Sequence, residues 1–439
     1  MLKLMKKMNG VPCSCGKVHT FDADIYSGAG AIKNLASALK KLGTVKAFVL
    51  ADVNTYTVGG DAVTKILRGE EITFTEFIYP SSPKPDEKGL GDAVIHCPAD
   101  ADTVIAIGSG VINDIAKMLT AVGNKKYIIV ATAPSMDGYA STSSSMCRAG
   151  LKVSLASKSA DVIIGDADIL KTAPLKMMVS GLGDMLAKYV SICEWRLSNL
   201  ITGEYYCEDI AELIRLALKS CIKASYNMAN GDADSVLALF DGLIIGSVAM
   251  NYAGISRPAS GAEHYISHIV DMRSEEFDTP CDFHGIQCAI GTYNAITLYE
   301  KLKCEPISYA HGVEYTERFD LKAWSRRLRE LLGKGAESMI ALEEKEGKYD
   351  LASHKKRLSF IVENWDKILN IVNTELPSVE ELDELYDRVG MPKSLTEIGI
   401  ENELLPDVLK ASKDIRDKYV LPRLLWDLGV IDDYANEMK

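Results

Sequence analysis

Short and almost wholly apolar runs alternate with helical patterns between residue 45 and about residue 170. A strand that is covered on both faces of a parallel sheet has this continuous apolar character. Strands that alternate with helices predict a doubly wound α/β domain, and such domains bind ligands beyond the carboxyl ends of their strands. The clearest predicted strands are Val45–Ala51, Thr103–Ile107 and Tyr127–Ala131, and a helix is predicted over Ile112–Val122.

The pattern changes after Pro174, where long helical periodicities replace the apolar runs. Ser378 begins one predicted helix as its N-cap, with Glu381 three residues later in a capping box and Gly390 after the last turn. We therefore predict an α/β domain over residues 1–174 and an all-helical domain over residues 175–439. Further helices of the second domain are predicted over Gly183–Leu197, Glu208–Asn227 and Ser235–Tyr252.

The length, net charge and apolar runs of the chain argue against several classes of protein. A chain of 439 residues, 47% of them hydrophobic, is long enough for two substantial domains. The net charge of −12 argues against nucleic-acid binding, which needs a basic face, but it allows a local basic pocket for a phosphate. No apolar run reaches the roughly 18 residues of a membrane span, and no hydrophobic core follows the basic start of the chain. The ten scattered cysteines fit reduced thiols. We therefore expect a cytoplasmic protein without membrane insertion.

A glycine turn, Gly108–Gly110, directly follows the predicted strand Thr103–Ile107 and precedes a helix. Backbone N–H groups and the helix dipole favour a phosphate at such a turn. The turn departs from the ordinary dinucleotide motif, because Asn113 occupies the third glycine position and no acidic residue follows about 20 positions later. Asp52 instead ends an earlier strand, where it would reach a ribose if the two strands are neighbours. A purely structural turn is equally compatible with the pattern.

Side chains that commonly bind metal ions lie at three places in the sequence. Asp184 is at the start of a predicted helix, and His264 and His268 are four positions apart and so share one helical face. Counting from His264 to His284, three of the seven histidines fall within 21 positions. One carboxylate with two imidazoles is a common catalytic donor set that leaves positions open for substrate. Hydrogen-bonded structural histidines would have the same spacing.

A second group of such residues, Cys13, Cys15 and His19, lies near the start of the chain. Zinc ligands are usually separated by two to four residues, and no fourth ligand is nearby in the sequence. We therefore interpret this segment as a structural hairpin or loop.

Six stretches together resemble the sn-glycerol-1-phosphate dehydrogenase family, in particular its bacterial, AraM-like branch. That family belongs to the superfamily of dehydroquinate synthase, glycerol dehydrogenase and iron-containing alcohol dehydrogenases. The first and fifth stretches contain motifs common to the superfamily, whereas the second and fourth are more specific to the family. In chain order the stretches are GSGVINDIAK (108–117), TAPSMDGYAS (132–141), GLGDMLAK (181–188), SRPASGAEHYISH (256–268), HGIQCAIGT (284–292) and VGMPKSLTEIGI (389–400).

The resemblance implies a dehydroquinate synthase-like fold, with a dinucleotide-binding first domain and a helical second domain that binds metal and substrate. It also implies NAD(H) or NADP(H), one divalent metal ion (zinc or nickel) and a homodimer. Asp184, His264 and His284 match the family's metal ligands, and His268 and Asp137 match residues that serve proton transfer and the substrate. The residues that match the cofactor site are Asp52, Asn54, Gly108, Ser109, Gly110, Asn113, Asp114, Thr132 and Ser135.

The implied reaction is the reduction of a small phosphorylated keto-alcohol, with dihydroxyacetone phosphate as the leading candidate. Its phosphate needs cations, for which Arg257 and Lys188 are candidates, although surface or helix-cap roles are equally compatible. Three alternatives stay open. A glycerol or other polyol or alcohol dehydrogenase on the same scaffold would need no phosphate site. A cyclising lyase like dehydroquinate synthase normally has a glutamate at the position of Asp184. A non-catalytic nucleotide-binding regulator would need no metal.

Overall fold

A parallel six-stranded sheet forms from the apolar runs in the computed structural model, which describes residues 2–148 and 151–438. The strand order is β1-β8-β5-β4-β2-β3, and β6 and β7 form a separate antiparallel hairpin. All three predicted strands are confirmed, as β2, β4 and β5, with ends shifted by no more than one residue. The strands are β1 (Asp24–Gly28), β2 (Lys46–Asp52), β3 (Thr73–Tyr79), β4 (Thr103–Gly108), β5 (Lys126–Ala131), β6 (Ser143–Arg148), β7 (Leu151–Ala156) and β8 (Val162–Asp166).

Strands β2 and β4 are neighbours in the sheet, with Ala51 paired to Ile107. From β2 the chain continues to β3 on one side, and from β4 it continues to β5 on the other side. Chain connections that diverge in this way leave a crevice at the carboxyl ends of the two strands. β2 ends at Asp52 and β4 ends at the glycine turn. The expected proximity of Asp52 to the glycine turn is therefore confirmed.

Helices make up most of the remaining chain. The capping box at Ser378 and the end at Gly390 are confirmed, whereas the single helix predicted over Gly183–Leu197 is two helices that meet at Ala187. The helices are α1 (Leu2–Met8), α2 (Asn34–Leu42), α3 (Val53–Gly69), α4 (Glu87–His96), α5 (Gly110–Gly123), α6 (Ala167–Leu170), α7 (Leu175–Leu186), α8 (Lys188–Thr202), α9 (Glu208–Met228), α10 (Ala233–Ala253), α11 (Ala262–Phe277), α12 (His284–Leu302), α13 (Tyr309–Arg318), α14 (Leu321–Leu332), α15 (Gly335–Glu346), α16 (Leu351–Glu363), α17 (Trp365–Glu375), α18 (Val379–Val389), α19 (Leu405–Ser412), α20 (Leu421–Leu428) and α21 (Ile431–Asn436).

The chain divides into two compact units, and it passes between them three times. Unit 1 contains the residues up to Met185 and Glu212–Ile255, and unit 2 contains Leu186–Ala211 and the residues from Ser256 onward. This differs from the single boundary predicted after residue 174, because part of the helical region belongs to the unit that contains the sheet.

Helix α10 shows why these residues belong to unit 1. The Phe240 ring lies against Gly165 of β8 so closely that a Cβ there would be 2.2 Å from the ring. On the same helix, Asp241 accepts a hydrogen bond from the Ser27 hydroxyl of β1 at 2.6 Å. By length and composition α10 is apolar enough to cross a membrane, but 67% of its most apolar window is buried inside the structure. The sheet therefore has a core helix from the second half of the chain on one face.

Candidate active site and metal-binding residues

The glycine turn after β4 has the geometry of an anion-binding site. Ser109 is the N-cap residue of α5, and within the described residues its side chain makes no capping hydrogen bond to that helix. Its hydroxyl instead lies 2.5 Å from the Ser135 hydroxyl. A Cβ on Gly108 would lie 2.5 Å from the Ile112 side chain, so the tight turn requires glycine at this position. The N-terminal N–H groups of α5 can therefore receive a phosphate.

Asn113 and Asp114 have internal partners in unit 1. The buried Asn113 amide donates to the Gly138 carbonyl at 3.1 Å and accepts from the Tyr127 hydroxyl at 2.8 Å. Asp114 forms an ion pair with the buried Lys117 at 2.8 Å. These side chains hold the loop at Gly138, and a direct contact between them and a cofactor stays a prediction. Lys117 was missed in the sequence, where its only signal is its position three residues after Asp114.

The segment from Thr132 to Asp137 lies beside the glycine turn. The Thr132 N–H donates to the Gly108 carbonyl at 3.1 Å. Further along, the Asp137 N–H donates to the Asp184 carboxylate at 2.9 Å, and the Asp184 side chain is fully buried. Two residues that were predicted to serve the substrate and the metal ion, Asp137 and Asp184, are thus in direct contact within unit 1.

Asp52 has a structural function in addition to any cofactor contact. Its carboxylate is the N-cap of α3 and accepts from the N–H groups of Asn54 and Thr55, both at 2.9 Å. The second carboxylate oxygen accepts from the Ser82 hydroxyl at 3.2 Å. Asn54 is exposed at the first turn of the same helix. The position fits the adenosine end of a dinucleotide, and recognition of a ribose stays a prediction.

Three imidazoles gather in unit 2, where α11 carries His264 and His268 and α12 begins at His284. The ring centroids of His264 and His284 are 5.1 Å apart, and the His268 centroid lies 6.4 and 6.3 Å from these two. The His264 Nδ1 atom is 2.9 Å from the Glu263 carboxylate, and the His284 Nδ1 atom is 3.1 Å from the Ser267 hydroxyl. Metal-binding histidines characteristically have such a partner on the ring nitrogen that does not bind the ion.

A thiol lies beside these rings. The Cys288 Sγ is 3.5 Å from the His284 Nε2, and one ligand atom each of Cys288, His264 and His284 lies within 4.8 Å of the others. Two imidazoles and a thiol suit zinc, so the side chains that are present fit a divalent ion. The sequence analysis missed Cys288, although it is four positions after His284 and so shares a helical face with it.

Buried charges surround the start of α11. The Glu194 carboxylate accepts from the N–H groups of Ala262 at 2.8 Å and Leu421 at 2.7 Å, and the Glu263 carboxylate accepts from Gly261 at 2.7 Å. Burial raises the pKa of both glutamates well above their usual range. These two carboxylates fix the first turn of α11. His264 directly follows Glu263 in that helix. Glu263 was also missed in the sequence.

The two predicted phosphate-binding cations have partners inside unit 2. Arg257 is fully buried and pairs with Glu204, with 2.6 Å between its Nη2 and the carboxylate. Its Nη1 is buried and has no hydrogen-bond partner among the described residues. Lys188 is also buried, and its ammonium donates to the Ala259 carbonyl at 3.3 Å. A phosphate contact by either cation stays a prediction.

Comparison with known proteins gives a consistent assignment. A family model described as iron-containing alcohol dehydrogenase matches residues 26–174. A glycerol-1-phosphate dehydrogenase (NAD(P)+) of Halalkalibacterium halodurans is 30% identical over 306 residues, which are 68% of this chain and 76% of that protein. The enzyme of the same name from Bacillus licheniformis is 26% identical over 437 residues, 98% of this chain and 96% of its own.

Solved structures show the same fold. The glycerol dehydrogenase from Schizosaccharomyces pombe matches with a TM-score of 0.63 at 18% identity, over 96% of this chain and 92% of that chain. At this identity the match shows shared architecture, and it confirms the predicted combination of an α/β part and a helical part. The sequence relatives confirm the resemblance seen in the motifs: the chain belongs to the glycerol-1-phosphate dehydrogenase family.

Proposed function

We propose that the chain catalyses the NAD(P)H-dependent and metal-dependent reduction of dihydroxyacetone phosphate to sn-glycerol 1-phosphate. Its relatives in Halalkalibacterium halodurans and Bacillus licheniformis are glycerol-1-phosphate dehydrogenases, which supports this reaction. Within the structure, the proposal depends mainly on the imidazole pair of His264 and His284. The Nδ1 atom of each ring contacts a neighbouring oxygen, as in metal-binding histidines.

The proposed metal ligands are Asp184, His264 and His284, for one zinc or nickel ion, as the family resemblance implies. When bound, the ion would polarise the substrate carbonyl and stabilise negative charge on its oxygen. The family resemblance supports this set, and so does the environment of each side chain. The Asp137 N–H orients the buried Asp184 carboxylate, and Glu263 and Ser267 orient the two rings.

The proposed cofactor site is the crevice at the ends of β2 and β4. The N–H groups at the start of α5 would hold the pyrophosphate, and Thr132 and Ser135 would line the ribose and nicotinamide. Asp52 would accept hydrogen bonds from the adenosine ribose, and its charge would repel a 2′-phosphate. NADH should therefore be used at least as well as NADPH.

The proposed proton donor is His268, whose ring is more than 6 Å from the centroids of the other two imidazoles. Asp137 would orient the substrate hydroxyl, because its backbone is already fixed against Asp184 and its carbonyl accepts from the Ser247 hydroxyl. Protonation of the new alkoxide by a positioned side chain typically contributes 10²–10⁴-fold to such a rate.

A polyol dehydrogenase is the second candidate, because the charge of Arg257 is already balanced by Glu204. The deciding experiment measures NADH oxidation by the metal-reconstituted enzyme with dihydroxyacetone phosphate and with dihydroxyacetone. We expect the phosphorylated ketone to have a kcat/KM at least about 100-fold higher, roughly 2.7 kcal/mol. Equal turnover of the two ketones would refute the phosphate specificity and support the polyol dehydrogenase.

The same assay on Arg257→Ala assigns the phosphate contact. If Arg257 binds the phosphate, its loss shrinks the ratio between the two ketones. Glu204→Gln is the matched control, since it breaks the same ion pair while it leaves the guanidinium in place. An unchanged ratio in Arg257→Ala would leave the arginine a purely structural role. We also propose that the enzyme is a cytoplasmic homodimer, which light scattering and cell fractionation would test.

A further inference from the structure

The segment around Cys13 and Cys15 in unit 1 is folded into a tight, hydrogen-bonded turn. Pro12 and Val18 form an antiparallel bridge, and the Cys13 N–H donates to the Lys17 carbonyl at 2.9 Å. The Gly16 N–H donates back to the Cys13 carbonyl at 2.9 Å, with Gly16 in the left-handed region at φ 84°. The turn brings the two thiols to one side of a short hairpin.

His19 directly follows this hairpin and contacts helix α10. Its side chain is buried, and its Nδ1 lies 2.7 Å from the Tyr252 carbonyl at the end of α10. A carbonyl can only accept a hydrogen bond, so Nδ1 carries the proton and Nε2 has the lone pair. The Nε2 atom lies 3.4 Å from the Cys15 Sγ. This is the arrangement of a metal-ligating histidine whose tautomer is fixed by a backbone carbonyl.

The distances agree with a tetrahedral zinc ion. Bond lengths of about 2.3 Å to sulfur and about 2.1 Å to nitrogen place neighbouring ligand atoms roughly 3.6–3.8 Å apart. The ligand atoms of Cys13, Cys15 and His19 all lie within 4.8 Å of one another. We propose that these three residues bind a structural zinc ion, separate from the catalytic metal ion. In the sequence, this segment was interpreted as a structural hairpin or loop, because C-x-C lacks the usual spacing of zinc ligands and no fourth ligand is nearby.

A closed structural site has four protein ligands. Cys13, Cys15 and His19 supply three of them, all within unit 1. The function of the ion is to join the N-terminal hairpin to α10, through the bond between His19 and Tyr252. Structural zinc of this kind contributes directly to folding free energy.

The test is a zinc count on purified full-length protein in the His284→Ala background, where catalytic metal is absent if the proposed function holds. After dialysis against a mild chelator we expect about one zinc ion per chain, with sulfur neighbours at about 2.3 Å in X-ray absorption spectra. Cys13→Ser and Cys15→Ser should each lose at least about 90% of this zinc, as expected for loss of a ligand. Cys97→Ser, a partly buried cysteine outside the hairpin, is the matched control and should retain it.

A second measurement needs no cysteine variant, so it still tests the proposal if those variants fail to fold. Thiol-modifying reagent added to the His284→Ala protein should release the zinc, and a chromogenic chelator records its release. Zinc without sulfur neighbours, or zinc that Cys13→Ser and Cys15→Ser both retain, would overturn the proposal. The loss of zinc in Cys13→Ser and Cys15→Ser, measured relative to their parent protein, does not depend on the proposed dehydrogenase reaction, since no step of the test measures turnover.

Discussion

Gly291→Ala should weaken metal binding, because Gly291 lies directly against the backbone of the neighbouring helix, and the two helices carry the histidines. The residue lies in α12, and a Cβ built there would be 2.5 Å from the Glu263 carbonyl oxygen and 2.8 Å from the Glu263 Cα of α11. Ordinary contacts begin at 3.4 Å, so the two helices would have to separate by the difference, 0.9 Å. Both atoms belong to helix backbone, which cannot rotate away as a flexible side chain can.

The expected changes in stability and in metal affinity follow from this separation of the two helices. Overpacking in a closely packed core costs about 1–3 kcal/mol, and the better helix propensity of alanine returns roughly 0.5–1 kcal/mol. The difference is a loss of about 0–2.5 kcal/mol in the free energy of unfolding. His264 follows Glu263 directly, so the separation also moves His264 away from His284, the second proposed metal ligand. Loss of metal affinity should be at least about 10-fold, the range seen when the support of a ligand is disturbed.

Urea unfolding and competition against a calibrated zinc chelator measure the two effects. Gly91→Ala is the matched control: the same change within helix α4, at a position with nothing within 4 Å of the added Cβ. It should leave metal affinity unchanged and stabilise the protein by roughly 0.5–1 kcal/mol. A Gly291→Ala protein with wild-type zinc affinity and undiminished stability would show that the helices adjust to the extra carbon, and the reasoning would be refuted.

Four further substitutions test single residues of the proposed site. His268→Ala should retain stoichiometric metal and lose rate by about 10²-fold or more, whereas His264→Ala should lose the metal; the reverse result would exchange the two assignments. Asp52→Ser keeps a good N-cap for α3 while it removes the charge, so the ratio of kcat/KM for NADPH to that for NADH should rise with little change in stability; an unchanged ratio would remove Asp52 from the ribose site. Cys288→Val should shift metal preference from zinc toward nickel by about 10-fold, because thiolate favours zinc over harder ions; equal competition constants in variant and wild type would show that this thiol does not bind the ion.

The sheet and its crevice were predictable because the apolar runs of β2, β4 and β5 are buried on both faces. The position of Asp52 beside the glycine turn depended on β2 and β4 being neighbours, and that pairing is seen only in the structure. The hairpin at Cys13 was not predictable in the same way. Its histidine is oriented by the Tyr252 carbonyl, 233 positions away, and no local pattern records such a contact.

The partners of buried polar side chains were equally hard to predict from the sequence. Asn113 is in the glycine-turn motif, yet its amide is occupied by Tyr127 and Gly138. Arg257 is in a family motif, yet its guanidinium pairs with Glu204, which lies outside the matching stretches. In both cases the chemistry of the side chain was correctly noted, but its partner depends on tertiary packing.

The threefold passage of the chain between the units has a consequence for synthesis on the ribosome. Unit 1 lacks one of its segments until Glu212–Ile255 has emerged, so its core cannot close when the last strand, β8, is complete. The face of the sheet at Gly165 stays uncovered until Phe240 of α10 packs against it, and during that interval its apolar surface is exposed to water. A nascent chain with such a delay depends on chaperones for longer than one whose domains are contiguous, and a fragment cut after residue 174 would keep that dependence permanently.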